Sequence, residues 1–315
     1  MRDYMAPMEG ITNYVYRNAY HHHFHAMDKY FTPFISAKPN KRLSNKEVNE
    51  ISPETNQGMY IVPQIMTKNA EDFLQTTEIL MEYGHKEVNL NLGCPSGTVT
   101  AKGKGAGFLA EPEMLDRFLD EVFQKIGNLD VKLSIKTRIG TDYEDEWQRL
   151  MEIYNQYPLE ELIIHPRLLI DYYKNTPHLD VYQQAVTGAT ASLCYNGDLF
   201  SKEAYEKISA RFPETECFMY GRGLIANPGL ITEIRDGKKM DKQTLRAFHD
   251  EIYASYKEIM SGDRNVLFRM KELWAHLIKI FDNNEKYAKK IRKAQKCGEY
   301  DAAVSSLFAE QELNV

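Results

Sequence analysis

Residues 87–92, Glu-Val-Asn-Leu-Asn-Leu, alternate polar and apolar positions with a period of two, the pattern of a strand with two unlike faces. This stretch belongs to a run at 87–95, and seven other short β-favouring runs are spaced through the first three quarters of the chain, at 3–8, 29–34, 59–66, 132–140, 161–167, 191–198 and 216–223. Between several of them apolar residues recur at threes and fours, predicting helices at 69–83, 112–126, 144–157 and 201–211. Eight strand-then-helix units in about 230 residues predict a (β/α)8 TIM barrel, for which roughly 250 residues is typical. An open doubly wound sheet would carry a glycine fingerprint after its first strand; the stretch from Met8-Glu9-Gly10-Ile11-Thr12 to Asn18 contains no GxGxxG.

Past about residue 240 the strand signals stop, and long stretches of helical periodicity predict two to four helices. The expected organisation is α/β: a barrel over 1–240 followed by a smaller all-helical domain over 241–315. No apolar stretch reaches the ~18 residues of a spanning helix, and the first residues lack the basic and apolar regions of a signal peptide, so a cytoplasmic protein without a membrane partner is expected. Cys94, Cys194, Cys217 and Cys297 are far apart, with no CxxC pair or Cys/His spacing, so neither disulfides nor a structural metal is expected. The histidines at 21, 22, 23 and 25 read as a polar helix surface, because no carboxylate motif accompanies them.

Charge alters this picture. The net charge is −6, yet Lys257 to Lys296 holds 11 Lys+Arg against 5 Asp+Glu, leaving 28 against 40 for the remainder. That segregation favours a polyanion contact through the C-terminal segment, with a solvated helix face as the plain alternative. Lys286, Lys289, Lys290, Arg292, Lys293 and Lys296 are the densest cluster.

Barrel active sites lie at the C-terminal ends of the strands. Residues at the predicted ends are Met8 and Glu9, Gln64, Asn91 and Cys94, Lys136 and Arg138, His165 and Arg167, Asn196 to Asp198, and Gly221 to Gly223. The last two runs end in Tyr-Asn-Gly-Asp and Tyr-Gly-Arg-Gly, where glycines admit backbone N–H groups to an anion and Arg222 adds a charge-assisted bond. Pro228 fits the first turn of a short helix directed at the same anion. A phosphate there, with Lys136 and His165 on neighbouring strands, would set a flat ring over the barrel mouth, a cation stabilising an anionic reduced flavin. FMN, with one phosphate, fits better than a dinucleotide.

Together, Ala-Pro-Met-Glu-Gly-Ile-Thr near the start, Asn-Leu-Gly-Cys-Pro at 91–95, Ser-Ile-Lys-Thr-Arg-Ile-Gly at 134–140, His-Pro-Arg at 165–167, Tyr-Asn-Gly-Asp at 195–198 and Tyr-Gly-Arg-Gly-Leu-Ile-Ala-Asn-Pro at 220–228 resemble the motif series of the bacterial flavin-dependent tRNA-dihydrouridine synthases. The resemblance runs from Tyr4 to about Pro228, and a helical C-terminal domain also suits that family. It implies that Cys94 is the proton donor, that Asn91 contacts the target uracil, and that Pro7, Met8, Gln64, Lys136, His165, Asn196, Asp198, Gly221 and Arg222 form the FMN site. Arg138 and Arg167 are assigned to substrate, although the apolar continuation after Arg167 departs from the family pattern. The expected substrate is tRNA, at uridines of the D-loop, with NADPH as a transient reductant.

The chemistry agrees with that assignment. Saturating the C5–C6 bond of uracil needs a hydride and a proton, and a thiol with an ordinary pKa near ~8.5 is protonated at neutral pH and suited to general acid catalysis. Lys102 and Lys104, on the glycine-rich loop from Ser96 to Gly107, are placed to touch substrate phosphates as that loop closes. Two other readings stand beside this one: an FMN-dependent reductase of a small pyrimidine or enone, which needs no basic tail, and a non-catalytic RNA-binding module, which needs no Cys94, Lys136 or His165. No stable protein partner is implied.

Overall fold

The computed structural model describes residues 1–38 and 42–315. Ten strand segments make up eight barrel strands, because two of the strands are interrupted. They are β1 (Arg2–Met5), β2 (Lys29–Phe31, resumed at Ile35–Ser36), β3 (Ile61–Val62, resumed at Gln64–Met66), β4 (Glu87–Leu92), β5 (Lys132–Gly140), β6 (Glu161–Leu168), β7 (Ser192–Tyr195) and β8 (Cys217–Tyr220). Each strand pairs with the next in sequence, and every registered pair is parallel. β8 adjoins β1, where the Arg2 N–H donates to the Glu216 carbonyl at 2.7 Å, and the ring closes.

The break in β3 is Pro63, which has no N–H to give to the ladder. Pairing continues on both sides of it, with Tyr30 opposite Ile61 and Ile35 opposite Ile65. The Pro63 carbonyl still accepts from the Asn89 N–H at 2.9 Å, and the Gln64 N–H donates to Thr32 Oγ1 at 3.1 Å.

In β4 the period of two sends Val88, Leu90 and Leu92 to one face and Glu87, Asn89 and Asn91 to the other. The polar set faces the barrel interior. Glu87 accepts from Ser134 Oγ at 3.0 Å, Ser134 Oγ accepts from Asn89 Nδ2 at 3.0 Å, and Asn89 Oδ1 accepts from Gln64 Nε2 at 2.8 Å. At the N-terminal ends of the strands, Lys29 Nζ lies 2.8 Å from both Glu87 and Glu161, and Glu161 also accepts from Arg2 and Tyr4. Burying these carboxylates is tolerable only because each is paired and hydrogen-bonded. Beside these polar groups an apolar cluster of Tyr4, Ala6, Phe31, Val62, Ile163, Cys194, Cys217 and Met219 fills the core.

By packing the chain falls into two units, one of Met1–Pro7, Asp28–Asp198 and Ile208–Met219, the other of Met8–Met27, Leu199–Lys207 and Tyr220–Val315. The division expected at residue 240 therefore follows the change from strands to helices, not the packing. In the second unit the last four long helices are Lys242–Ile259, Asp263–Leu277, Glu285–Lys293 and Cys297–Glu310. Asp241 caps the first of these by accepting from the Thr244 N–H at 2.8 Å. Tyr300 lies at the polar centre of their core, its hydroxyl accepting from Trp274 Nε1 at 2.7 Å and meeting His249 Nε2 at 2.6 Å. The helix Glu285–Lys293 buries only Tyr287 and Ile291, leaving Lys286, Lys289, Lys290, Arg292 and Lys293 exposed. The histidine cluster closes the helix Tyr14–His23, where His22 Nδ1 and His23 Nε2 each meet one oxygen of Glu251 at 2.8 Å.

Candidate active site

Asn91 is the last inward-facing residue of β4, and its amide orients the turn that leaves the strand. Its Nδ2 donates to Gln64 Oε1 at 2.6 Å, while its Oδ1 accepts from the N–H groups of Gly93 at 3.1 Å and Cys94 at 3.0 Å. The chain thus turns sharply after the strand and presents Cys94 half-buried at the strand end. The loop beyond it folds back: Ala106 N–H donates to the Cys94 carbonyl at 3.0 Å, and short helical turns form at Gly97–Thr100 and Gly105–Ala110. Gly105 has φ of +57°, and a Cβ there would lie 2.8 Å from the Cys94 carbonyl oxygen. Only glycine supplies both the left-handed backbone and the close approach.

Across the ladder from Asn91 stands Lys136. Burial is the main cause that lowers its pKa to about 8; Arg138 pushes the same way, and the thiols of Cys194 and Cys94 oppose. Among the described residues no carboxylate is one of the groups that shift it. A half-buried ammonium in such surroundings suits an electron-rich or anionic ligand group.

Arg138 was expected to touch substrate, but its guanidinium is fully buried and directed at protein acceptors. Nε donates to the Gly93 carbonyl at 3.0 Å, one terminal nitrogen to Leu168 at 2.7 Å and the other to Tyr172 at 2.8 Å, with the Tyr173 ring 5.3 Å away. It ties the loop after β4 to the loop after β6. Arg167 is likewise buried and turned to the protein: it donates to the Asn175 carbonyl at 2.7 Å, to both oxygens of Asp198 and to His165 Nε2 at 2.8 Å. A guanidinium has no proton acceptor, so in this contact His165 Nε2 is the accepting atom. Asp198, at φ +46°, holds Arg167 and through it the orientation of the His165 ring. Asn196 Nδ2 donates to the Met219 carbonyl at 2.8 Å, which fixes the end of β7 to β8.

In the second unit, the Met8 N–H donates to Thr12 Oγ1 at 2.7 Å. The Arg222 guanidinium lies 5.3 Å over the Phe200 ring, at the start of the short helix Arg222–Ala226. A Cβ on Gly223 would sit 1.8 Å from the Leu199 carbonyl oxygen, so the backbone there admits glycine alone. Pro228 is not in a first helical turn: it precedes Gly229, which caps the helix Leu230–Asp236. Tyr173, stacked 6.0 Å from His165, and Asn175 escaped the reading of the sequence. Nothing in their local pattern marks them, since their roles come from a loop that returns to the strand ends. Lys102 is exposed and Lys104 half-buried on the loop after Cys94.

A profile described as dihydrouridine synthase (Dus) matches residues 4–313. Among curated relatives, tRNA-dihydrouridine synthase B of Pasteurella multocida is 25% identical over 231 residues, covering 73% of this chain and 68% of that protein. The probable tRNA-dihydrouridine synthase 2 of Bacillus subtilis is 25% identical over 261 residues, covering 81% and 78%. Among solved structures, morphinone reductase in complex with tetrahydroNAD superposes with a TM-score of 0.52 at 13% identity, covering 77% of this chain and 89% of that one. That likeness carries the TIM-barrel fold alone. The match along nearly the whole chain, on a barrel whose strand ends gather Asn91, Cys94, Lys136 and His165, shows that the protein belongs to the dihydrouridine synthase family, FMN-dependent oxidoreductases.

Proposed function

We propose that the protein reduces the C5–C6 double bond of uridines in tRNA, at D-loop positions, with NADPH as reductant and Cys94 as the proton donor. The observation that carries this reading is the turn after β4: Asn91 accepts from the Cys94 N–H and so sets the thiol at the strand end next to Lys136. Bound FMN would supply the hydride for C6 of the base. The chain's own residues do the rest. Lys136 fits the electron-rich edge of a flavin, because its neighbours leave its charge without a carboxylate. Gln64, Pro7, His165, Asn196 and Asp198 belong to the same unit, and Arg167 fixes the orientation of the His165 ring. For Met8, Gly221 and Arg222 the support is the family resemblance.

Asn91 uses one amide hydrogen on Gln64, and the other is the donor we assign to a uracil carbonyl. Cys94 then delivers a proton to C5 as general acid, while Arg138 and Arg167 act as positioning residues for the loops around it. Reaching a uridine in folded RNA requires flipping the base, at a cost of a few kcal/mol. Exposed lysines of the helix Glu285–Lys293 supply backbone contacts that position the RNA without reading its bases. We place the protein in the cytoplasm on the nature of this substrate.

The test is mass-spectrometric mapping of dihydrouridine in tRNA incubated with the FMN-loaded enzyme and with Cys94→Ala. Loss of a general acid is expected to cut the rate by about 10²–10⁴-fold with flavin still bound. An undiminished rate in the variant removes Cys94 from the mechanism; reduction of free uracil or enones in place of tRNA moves the protein to a small-molecule reductase.

A further inference from the structure

Three neighbouring strands of the barrel unit release lysines at their C-terminal ends. Lys38 follows β2 by two residues, Lys68 follows β3 by two, and Lys102 and Lys104 lie on the loop after β4. Lys38, Lys68 and Lys102 are exposed and Lys104 is half-buried. The fold brings them together: the Lys68 ammonium is 3.2 Å from the point where a Cβ on Gly103, between Lys102 and Lys104, would stand. Among the described residues none of the four is engaged in an ion pair. Glu111 approaches Gly103 as well, its carboxylate 3.8 Å from the same point, and Asp72 acts on Lys104 from the helix after β3. Burial first, and then the charges of Lys102, Lys38 and Lys68, make the Lys104 ammonium easier to deprotonate. The four like charges thus sense one another in a part of the chain where acidic residues outnumber basic ones.

We propose that Lys38, Lys68, Lys102 and Lys104 form a single phosphate-binding patch on the rim of the barrel, which takes the sugar–phosphate backbone of the RNA beside the flipped uridine. The proposal rests on the reading of RNA uridine as substrate, and it adds Lys38 and Lys68 to the residues that hold it. Lysine suits this duty as a mobile point charge that neutralises a phosphate without demanding one geometry. The repulsion among the four in the free protein is relieved when a polyanion binds, so the patch favours the bound state. Spread over three loops, it suits an extended backbone better than the single phosphate group of a nucleotide.

The experiment uses the full-length FMN-loaded protein and a Lys38→Ala/Lys68→Ala variant, with Lys38→Arg/Lys68→Arg as the charge-preserving control. Affinity for a tRNA transcript is measured between 50 and 200 mM salt, together with the steady-state constants for tRNA and the rate of flavin reduction by NADPH without RNA. The alanine variant is expected to bind tRNA roughly tenfold more weakly at the low-salt end, with its log–log salt dependence shallower by about 0.9 per lost phosphate contact. KM for tRNA is expected to rise at constant kcat, flavin reduction to stay unchanged, and the arginine variant to behave as the parent. An unaltered salt slope and affinity in a variant whose parent makes dihydrouridine overturns the patch alone. A parent that neither binds tRNA nor forms dihydrouridine overturns the patch and the functional reading together. A raised KM for NADPH with RNA affinity intact also overturns it and gives the lysines to the reductant.

Discussion

Lys136 is an ammonium held where burial disfavours its charge, and that has a consequence in pH. Its pKa of about 8 is below the free-lysine value, so the charge is complete only under mildly acidic to neutral conditions. Affinity for FMN is therefore expected to weaken as pH climbs through about 8, as followed by quenching of flavin fluorescence; Lys136→Ala is expected to bind weakly and without that dependence. The linkage to folding has the opposite sense: the cost of burying the charge is relieved as pH rises from 8 toward the free-lysine value, so the flavin-free protein gains stability over that interval. At this scale the sequence was legible where local pattern carries the role. The alternation of asparagine and leucine followed by Gly-Cys-Pro places Asn91 and Cys94 at the end of a strand, since a period of two fixes which side chains face the interior. Arg138 and Arg167 were not legible in this way. Their acceptors are carbonyls at 93, 168, 172 and 175, which come into reach only when separate loops meet.

Among the elements, the loop after β4 depends most on one backbone angle. At Gly105 any side chain meets both a left-handed backbone and the Cys94 carbonyl, so Gly105→Ala is expected to cost about 1–3 kcal/mol in urea unfolding. Because the contact is with Cys94 itself, the same variant is expected to lose more activity than stability explains, with FMN binding retained; equal, small losses in both would show that the loop does not position the thiol. Elements with strong periodicity were read closely: 132–140 and 112–126 coincide with β5 and with the helix Pro112–Ile126. The run at 29–34 holds only the first segment of β2, which resumes beyond it at Ile35–Ser36, and the run at 59–66 holds two segments of β3, separated because Pro63 withholds a donor. Of the helix Tyr14–His23 only the histidine end is legible, as a polar helix surface, because its faces hardly contrast: Arg17 is on the buried side and three histidines end it. The helix Leu179–Gly188 was missed, with only Val181, Tyr182 and Ala185 buried along its length.

For the molecule as a whole, eight strands in sequential order followed from counting periodic segments, and the last four long helices stand at the upper end of the two to four expected, but the grouping of the N-terminal helix with the C-terminal ones did not follow, since no local pattern records a partner far along the chain. A closed barrel has no exposed edge to recruit a second chain. This ring nevertheless has a clasp. Between β2 and β3 the pairing is cut into two blocks of two residue pairs, while β4 and β5 share an uninterrupted ladder and β5 and β6 a longer one whose register shifts only past Arg138. Native-state hydrogen exchange is expected to begin at the clasp, with amides of 29–36 and 61–66 losing protection ahead of those in β4 to β6. The barrel would then breathe at one gap and not around its circumference, and Gln64, which orients Asn91 from the mended side of that gap, makes the ordering of the catalytic turn answer to how firmly the clasp is shut.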